Sequence, residues 1–98
     1  MKITEIHIHP VTPNKGLVAF ANLVLEGQLS LASIAVHEKR DGSGYRITYP
    51  TKGKGYLFRP IYPPLSKALE QAIIHEVKTV LSQSHARHNR AVAESNRV

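Results

Sequence analysis

The chain has 98 residues, enough for one domain with a modest core, and 42 % of them are apolar, so it is globular rather than disordered. Thirteen Lys and Arg against seven Asp and Glu give a formal charge of +6, which suits a polyanion such as DNA or RNA, or only keeps a small domain soluble. Cysteine is absent, which excludes disulfides, thiolate catalysis and cysteine-based zinc sites.

The first half reads as strands. Lys2 to Val11 alternates, with Ile6 and Ile8 on one face and His7 and His9 on the other. Thr12-Pro13-Asn14-Lys15-Gly16 is turn chemistry. Leu17 to Glu26 is apolar on both faces except at Asn22, as expected of a central strand covered on both sides. Glu26-Gly27-Gln28 reverses the chain. Leu29 to Glu38 is a third strand whose apolar face switches between Leu29/Leu31 and Ile34/Val36. The switch predicts a bulge near Ala32-Ser33.

Lys39 to Gly44 is a hairpin loop built on Asp41-Gly42. Tyr45 to Tyr49 is a fourth strand, ended by Pro50. Thr51 to Gly55 reads as a basic loop, and Tyr56 to Ile61 as a short fifth strand at an edge. After Pro63-Pro64 the period becomes helical, with Ser66 the expected N-cap. Leu65, Leu69, Ala72, Ile73, Val77, Val80 and Leu81 form one apolar stripe. The expected fold is α+β: a mainly antiparallel sheet of about five strands followed by one long C-terminal α-helix. Residues 1–82 form the domain. Residues 83–98 are a basic helix extension or a disordered tail. With six aromatics and no Trp the core is thin, so a homodimer is expected.

The charge falls in two clusters. Lys39, Arg40, Arg46, Lys52, Lys54 and Arg59 interleave with Tyr45, Tyr49, Tyr56 and Phe58, a pattern that pairs with phosphates and stacks on bases. The same residues also fit a pair of solvated loops whose aromatics belong to the core. On the helix, Lys67, Gln71, His75, Lys78, Ser82, His85 and Asn89 trace an acid-free face opposite the apolar stripe. Such a face suits a groove or a phosphate backbone, and it equally suits ordinary solvent exposure. Arg87 and Arg90 extend the positive charge, with His88 beside them.

Catalytic and metal patterns are thin. The pairs His7/His9 and His85/His88 each supply two ligands where a zinc site takes three or four. His37 reads as structural. Gly42-Ser43-Gly44-Tyr45 precedes a strand, not the helix of a nucleotide loop. No nucleophile motif is present, so neither an enzyme nor a cofactor nor a small-molecule substrate is expected. No apolar run is long enough for a membrane span, and Met1-Lys2-Ile3-Thr4-Glu5 lacks the apolar centre of a signal peptide. The cytoplasm is the expected compartment.

Several segments, in order, carry a family resemblance. They are Ile3-Thr4-Glu5-Ile6-His7-Ile8, Leu31-x-x-Ile34-x-Val36, Pro50-Thr51-Lys52 and Phe58-Arg59-x-Ile61-x-x-Pro64, then Ile73 and Val77 on the helix. Over about Lys2 to Leu81 the chain resembles the SpoVG family, the stage V sporulation protein G or septation regulators of bacteria. It departs from the family at Ala32-Ser33 and Ala35, in a shorter loop after Lys52, and in its basic tail. The resemblance implies a small α+β homodimer that binds DNA, and in some members RNA, without catalysis. It implies a role in gene expression, septation or sporulation programmes. Lys52 and Arg59 match family positions as polyanion contacts. Lys54, Lys67, Lys78, Arg87 and Arg90 join them from the charge pattern alone. The competing expectation is a protein-interaction module of cell division or transcription, in which the charge is incidental.

Overall fold

A computed structural model describes the backbone of residues 1–97 and the side chains of residues 1–82. The fold is α+β. Strands β1 (Ile3–Asn14), β2 (Leu17–Leu25), β3 (Leu29–Glu38) and β4 (Tyr45–Thr48) form one antiparallel sheet in the order β1-β2-β3-β4. A two-stranded ribbon follows, β5 (Thr51–Lys52) with β6 (Gly55–Tyr56). One helix, α1 (Pro63–Arg97), ends the chain.

The turns set the register. Asn14 pairs with Leu17, so β1 and β2 are joined by two residues only, Lys15 (φ 53°) and Gly16 (φ 91°). Two successive left-handed residues match the twist of the flanking strands, which type I and type II turns do not. The strand β1 therefore continues through Thr12-Pro13-Asn14, where turn residues alone predicted a loop. The bulge expected near Ala32-Ser33 is present. Ala21 pairs with Ile34 and Leu23 with Leu31, so β3 carries an extra residue opposite Asn22, and Ser33 sits at φ 65°. The extra residue returns Leu31 to the face of Ile34 and Val36.

Only one face of the sheet is covered. Along β2, Ala19, Ala21, Leu23 and Leu25 are buried, while Phe20, Asn22 and Val24 are half-buried. This corrects the expectation of a strand covered on both sides. A single helix can cover only one face, and no second layer exists among the described residues. Leu65, Leu69, Ile73, Val77 and Leu81 recur every fourth residue and so form one ridge of α1. Leu69, Ile73 and Val77 from that ridge pack with Leu23, Ile34 and Val36, and all six side chains are less than 2 % exposed. Each contributes roughly 1.5–3 kcal/mol relative to exposure.

The expected strand at Tyr56–Ile61 does not form. Pro60 has no N–H to donate, and Pro63 and Pro64 start the helix, so the segment supplies too few donors for a ladder. Its first residue, Tyr56, joins the ribbon β5–β6 instead. The helix likewise begins before the expected cap at Ser66. Pro63 and Pro64 occupy its first turn, where their missing N–H groups have no intrahelical partner to lose. Ser66 then donates its N–H to Tyr62 O at 3.0 Å.

Candidate nucleic-acid interface

The basic cluster of Lys39 to Arg59 is divided by the fold. Lys39 and Arg40 lie in the β3–β4 loop, and Lys52, Lys54 and Arg59 lie past the other end of β4. Strand β4 separates the two groups by about 13 Å. At the loop end, Lys15 and Gly16 from the β1–β2 turn meet His37, Glu38, Lys39, Arg40, Gly42 and Arg46 around a concavity of about 860 Å³. Backbone bonds tie the turns together. Glu38 N–H donates to Gly16 O at 2.7 Å, and Lys39 N–H to Gly44 O at 2.8 Å. Asp41 lies within the loop and accepts from Ser43 N–H at 2.9 Å. Hydrogen bonds from the Ser43 side chain and backbone hold its carboxyl below the usual aspartate range. Glu38 is thus the one acid lining the concavity, against Lys15, Lys39, Arg40 and Arg46.

Lys15 and His37 were missed as site residues from sequence. The first reads as a turn residue and the second as structural. The available signal was the pairing of Leu17 with His37, which brings the β1–β2 turn beside the end of β3.

At the other end, Lys52 pairs with Gly55, and Gly53 (φ 62°) turns the ribbon so that Lys54 stands at its tip. Arg59 stacks over the Tyr56 ring, with its guanidinium carbon 5.3 Å from the centroid, and makes no ion pair with Glu26 or Glu38. The interleaved aromatics divide as well. Tyr45, Tyr49 and Phe58 pack against the core, with Tyr49 edge-on to Phe58 at 6.1 Å. Their rings pack on the core, as the second of the two readings of this cluster has it. Tyr56 alone of the four is exposed.

On α1, Lys67, Gln71, His75, Lys78 and Ser82 are all exposed, as the acid-free face requires. That face points away from the sheet. It therefore lies on the opposite side of the molecule from the uncovered sheet face. His85, Arg87, His88, Asn89 and Arg90 lie outside the residues whose side chains are described.

On the uncovered face, Asn22 Nδ2 donates to His9 Nε2 at 3.2 Å and His37 shares a hydrogen bond with Thr48 Oγ1 at 3.2 Å. His7 contacts Glu5 at 3.5 Å. Among the described residues, no three His, Cys, Asp or Glu gather in a metal-holding group, so the His7/His9 pair stays a pair. Among the described residues, no helix is long and apolar enough to cross a membrane.

Comparison with protein-family models gave no match, and comparison with curated proteins gave none either.

Proposed function

We propose that this chain is a non-catalytic nucleic-acid-binding regulator, acting as a homodimer in the cytoplasm, of the kind that its resemblance to the SpoVG family implies. One observation carries the reading. Every Lys and Arg from Lys2 to Lys78 is exposed, and among the described residues none of them lies within ion-pair distance of an acid. A cation without a protein partner is free to neutralise a phosphate, and the condensed counterions that the nucleic acid then releases drive association. The ribbon residues Lys52, Lys54 and Arg59 and the helix residues Lys67 and Lys78 are the contacts assigned, with Arg87 and Arg90 continuing the charge along the chain.

The test is fluorescence anisotropy with labelled duplex DNA, single-stranded DNA and RNA across a salt series. The log of affinity should fall with the log of salt by about 0.9 per duplex phosphate neutralised. Replacing Lys52, Lys54 and Arg59 with Ala should flatten that slope by up to about 2.7. Wild-type affinity and slope in the triple variant would remove the ribbon from the interface. Absence of binding to every probe at low salt would remove the function.

A second reading rests on a different observation. Leu57, Ile61 and Tyr62 are exposed beside an apolar groove lined by Met1, Leu25, Leu29, Leu31, Phe58, Leu65 and Leu69. Apolar surface of this kind suits a protein partner of cell division or transcription, or the second copy of a homodimer. Association that survives nuclease treatment in a chain that shifts no nucleic acid would favour the protein-interaction module.

A further inference from the structure

The sheet face turned away from α1 carries an aromatic at its centre and cations along one side. Phe20 lies on β2, flanked across the ladder by His9 on β1 and Ala35 on β3. Ala35 is small, so it leaves the ring open on that side. His37 and Arg46 are cross-strand partners on the same face. Both also line the concavity with Lys15, Lys39 and Arg40. The face and the concavity are thus one continuous surface. Phe20 and Arg46 are two strands and about two residues apart, roughly 12 Å.

The chemistry of this surface selects its occupant. Glu38 is the one acid lining the concavity, and Glu5, at the far end of β1, contacts His7. A second copy docked face to face about an axis along the strands would set Arg46 and the surrounding cations near their own duplicates. A duplex keeps its bases stacked inside and offers no ring to Phe20. An extended single strand offers phosphates for the cations and unstacked bases for the ring, and open sheets with central aromatics bind it in this manner.

We propose that a single-stranded nucleic acid crosses the open sheet face, its phosphates held by Lys15, Arg40 and Arg46 and one base stacked on Phe20. The proposal rests on the nucleic-acid-binding reading above and names the ligand form and the surface. It is separate from the contacts on the ribbon and on α1, which lie elsewhere on the molecule.

The experiment uses the full chain, an oligo(dT) and an oligo(rU) of about 12 nucleotides, and a duplex of about 12 base pairs. Phe20→Leu keeps an apolar side chain and removes the ring. It should weaken oligo(dT) and oligo(rU) binding by roughly 5- to 100-fold and leave the duplex unchanged. Arg40→Ala with Arg46→Ala should lower the single-strand salt slope by about 1.4. If Phe20→Leu unfolds, NMR of the wild type decides: oligo(dT) should shift the ring protons of Phe20 and the imidazole protons of His9 and His37. Unshifted resonances in a bound complex would overturn the proposal. So would full single-strand affinity in folded Phe20→Leu, even where the ribbon variants weaken binding and the general function stands. A dimer dissociated by Phe20→Leu or Arg46→Ala in sedimentation would assign the face to a second copy instead. Failure of the wild type to bind any probe would overturn both this proposal and the function it rests on.

Discussion

The side-chain oxygen of Asn22 accepts the backbone N–H of Ser33 at 3.0 Å, across the point where β3 carries one residue more than β2. A bulge leaves its extra residue without a ladder partner, and Asn22 supplies one. The one polar interruption in an apolar strand is therefore the residue that caps the irregularity beside it. Asn22→Ala should destabilise the fold by about 1 kcal/mol through the lost bond, read from the midpoint of urea unfolding. Ser33→Gly should be neutral or stabilising, because Gly adopts φ 65° without the steric cost borne by Ser. Equal destabilisation by both variants would show that the bulge is held by something other than this bond.

Gly16 tests the β1–β2 turn in the opposite sense. Its φ is 91°, and an added Cβ would stand 3.4 Å from the carbonyl oxygen of Glu38. Gly16→Ala should destabilise by about 1–2 kcal/mol in the same unfolding assay. Because that turn positions Lys15 at the concavity, the variant should also weaken single-strand binding.

Ile73 sits at the middle of the helix ridge and is fully buried. Ile73→Ala should cost about 2–5 kcal/mol. Leu57, at 61 % exposure, should lose no more than about 0.5 kcal/mol on the same change. A large loss at Leu57 that depends on protein concentration would place that residue in a self-association interface.

The hydroxyl of Tyr49 is buried and has no hydrogen-bond partner. Burial pushes its phenol above the ordinary tyrosine value, and the negative charge of Glu70 adds to the shift. The folded state thus favours the neutral phenol. The unfolded chain releases the proton first as pH rises through about 10, so the unfolded state binds fewer protons there and stability falls with increasing pH. Tyr49→Phe should abolish this alkaline contribution and leave neutral-pH stability equal or higher, since an unsatisfied polar group is removed. Thermal denaturation at neutral and alkaline pH separates the two effects, and a clear loss at neutral pH would reveal a partner for the hydroxyl.

Much of the fold was legible from local pattern. The turn chemistry of Glu26-Gly27-Gln28 and Asp41-Gly42, the face switch in β3 and the fourfold spacing from Leu65 to Leu81 each specify an element without reference to the rest of the chain. The failures have different causes. Whether β2 is covered on one face or two depends on the number of layers, which no strand encodes in itself. The Tyr56–Ile61 strand failed because apolar alternation was weighed above the missing donor at Pro60. The site was less legible than the fold. Lys52, Lys54 and Arg59 do stay together, but Lys39, Arg40 and Arg46 gather with Lys15 and His37, residues distant in sequence and brought near only by strand register. Charge clustering along a chain says little about clustering in space when a strand intervenes.

Each strand of the four-stranded sheet pairs with the one synthesised just before it, with no crossover between them. The meander can therefore zip up from its first hairpin while the ribosome is still translating. The element that shields Ala21, Leu23 and Ile34 follows the whole sheet in the chain and shields them through Leu69, Ile73 and Val77. A nascent or truncated chain ending before that ridge presents a finished sheet with a greasy, unshielded side. Chain order thus leaves the apolar side of the sheet open to water until α1 has been made, so a fragment without α1 should expose greasy surface that the folded domain hides.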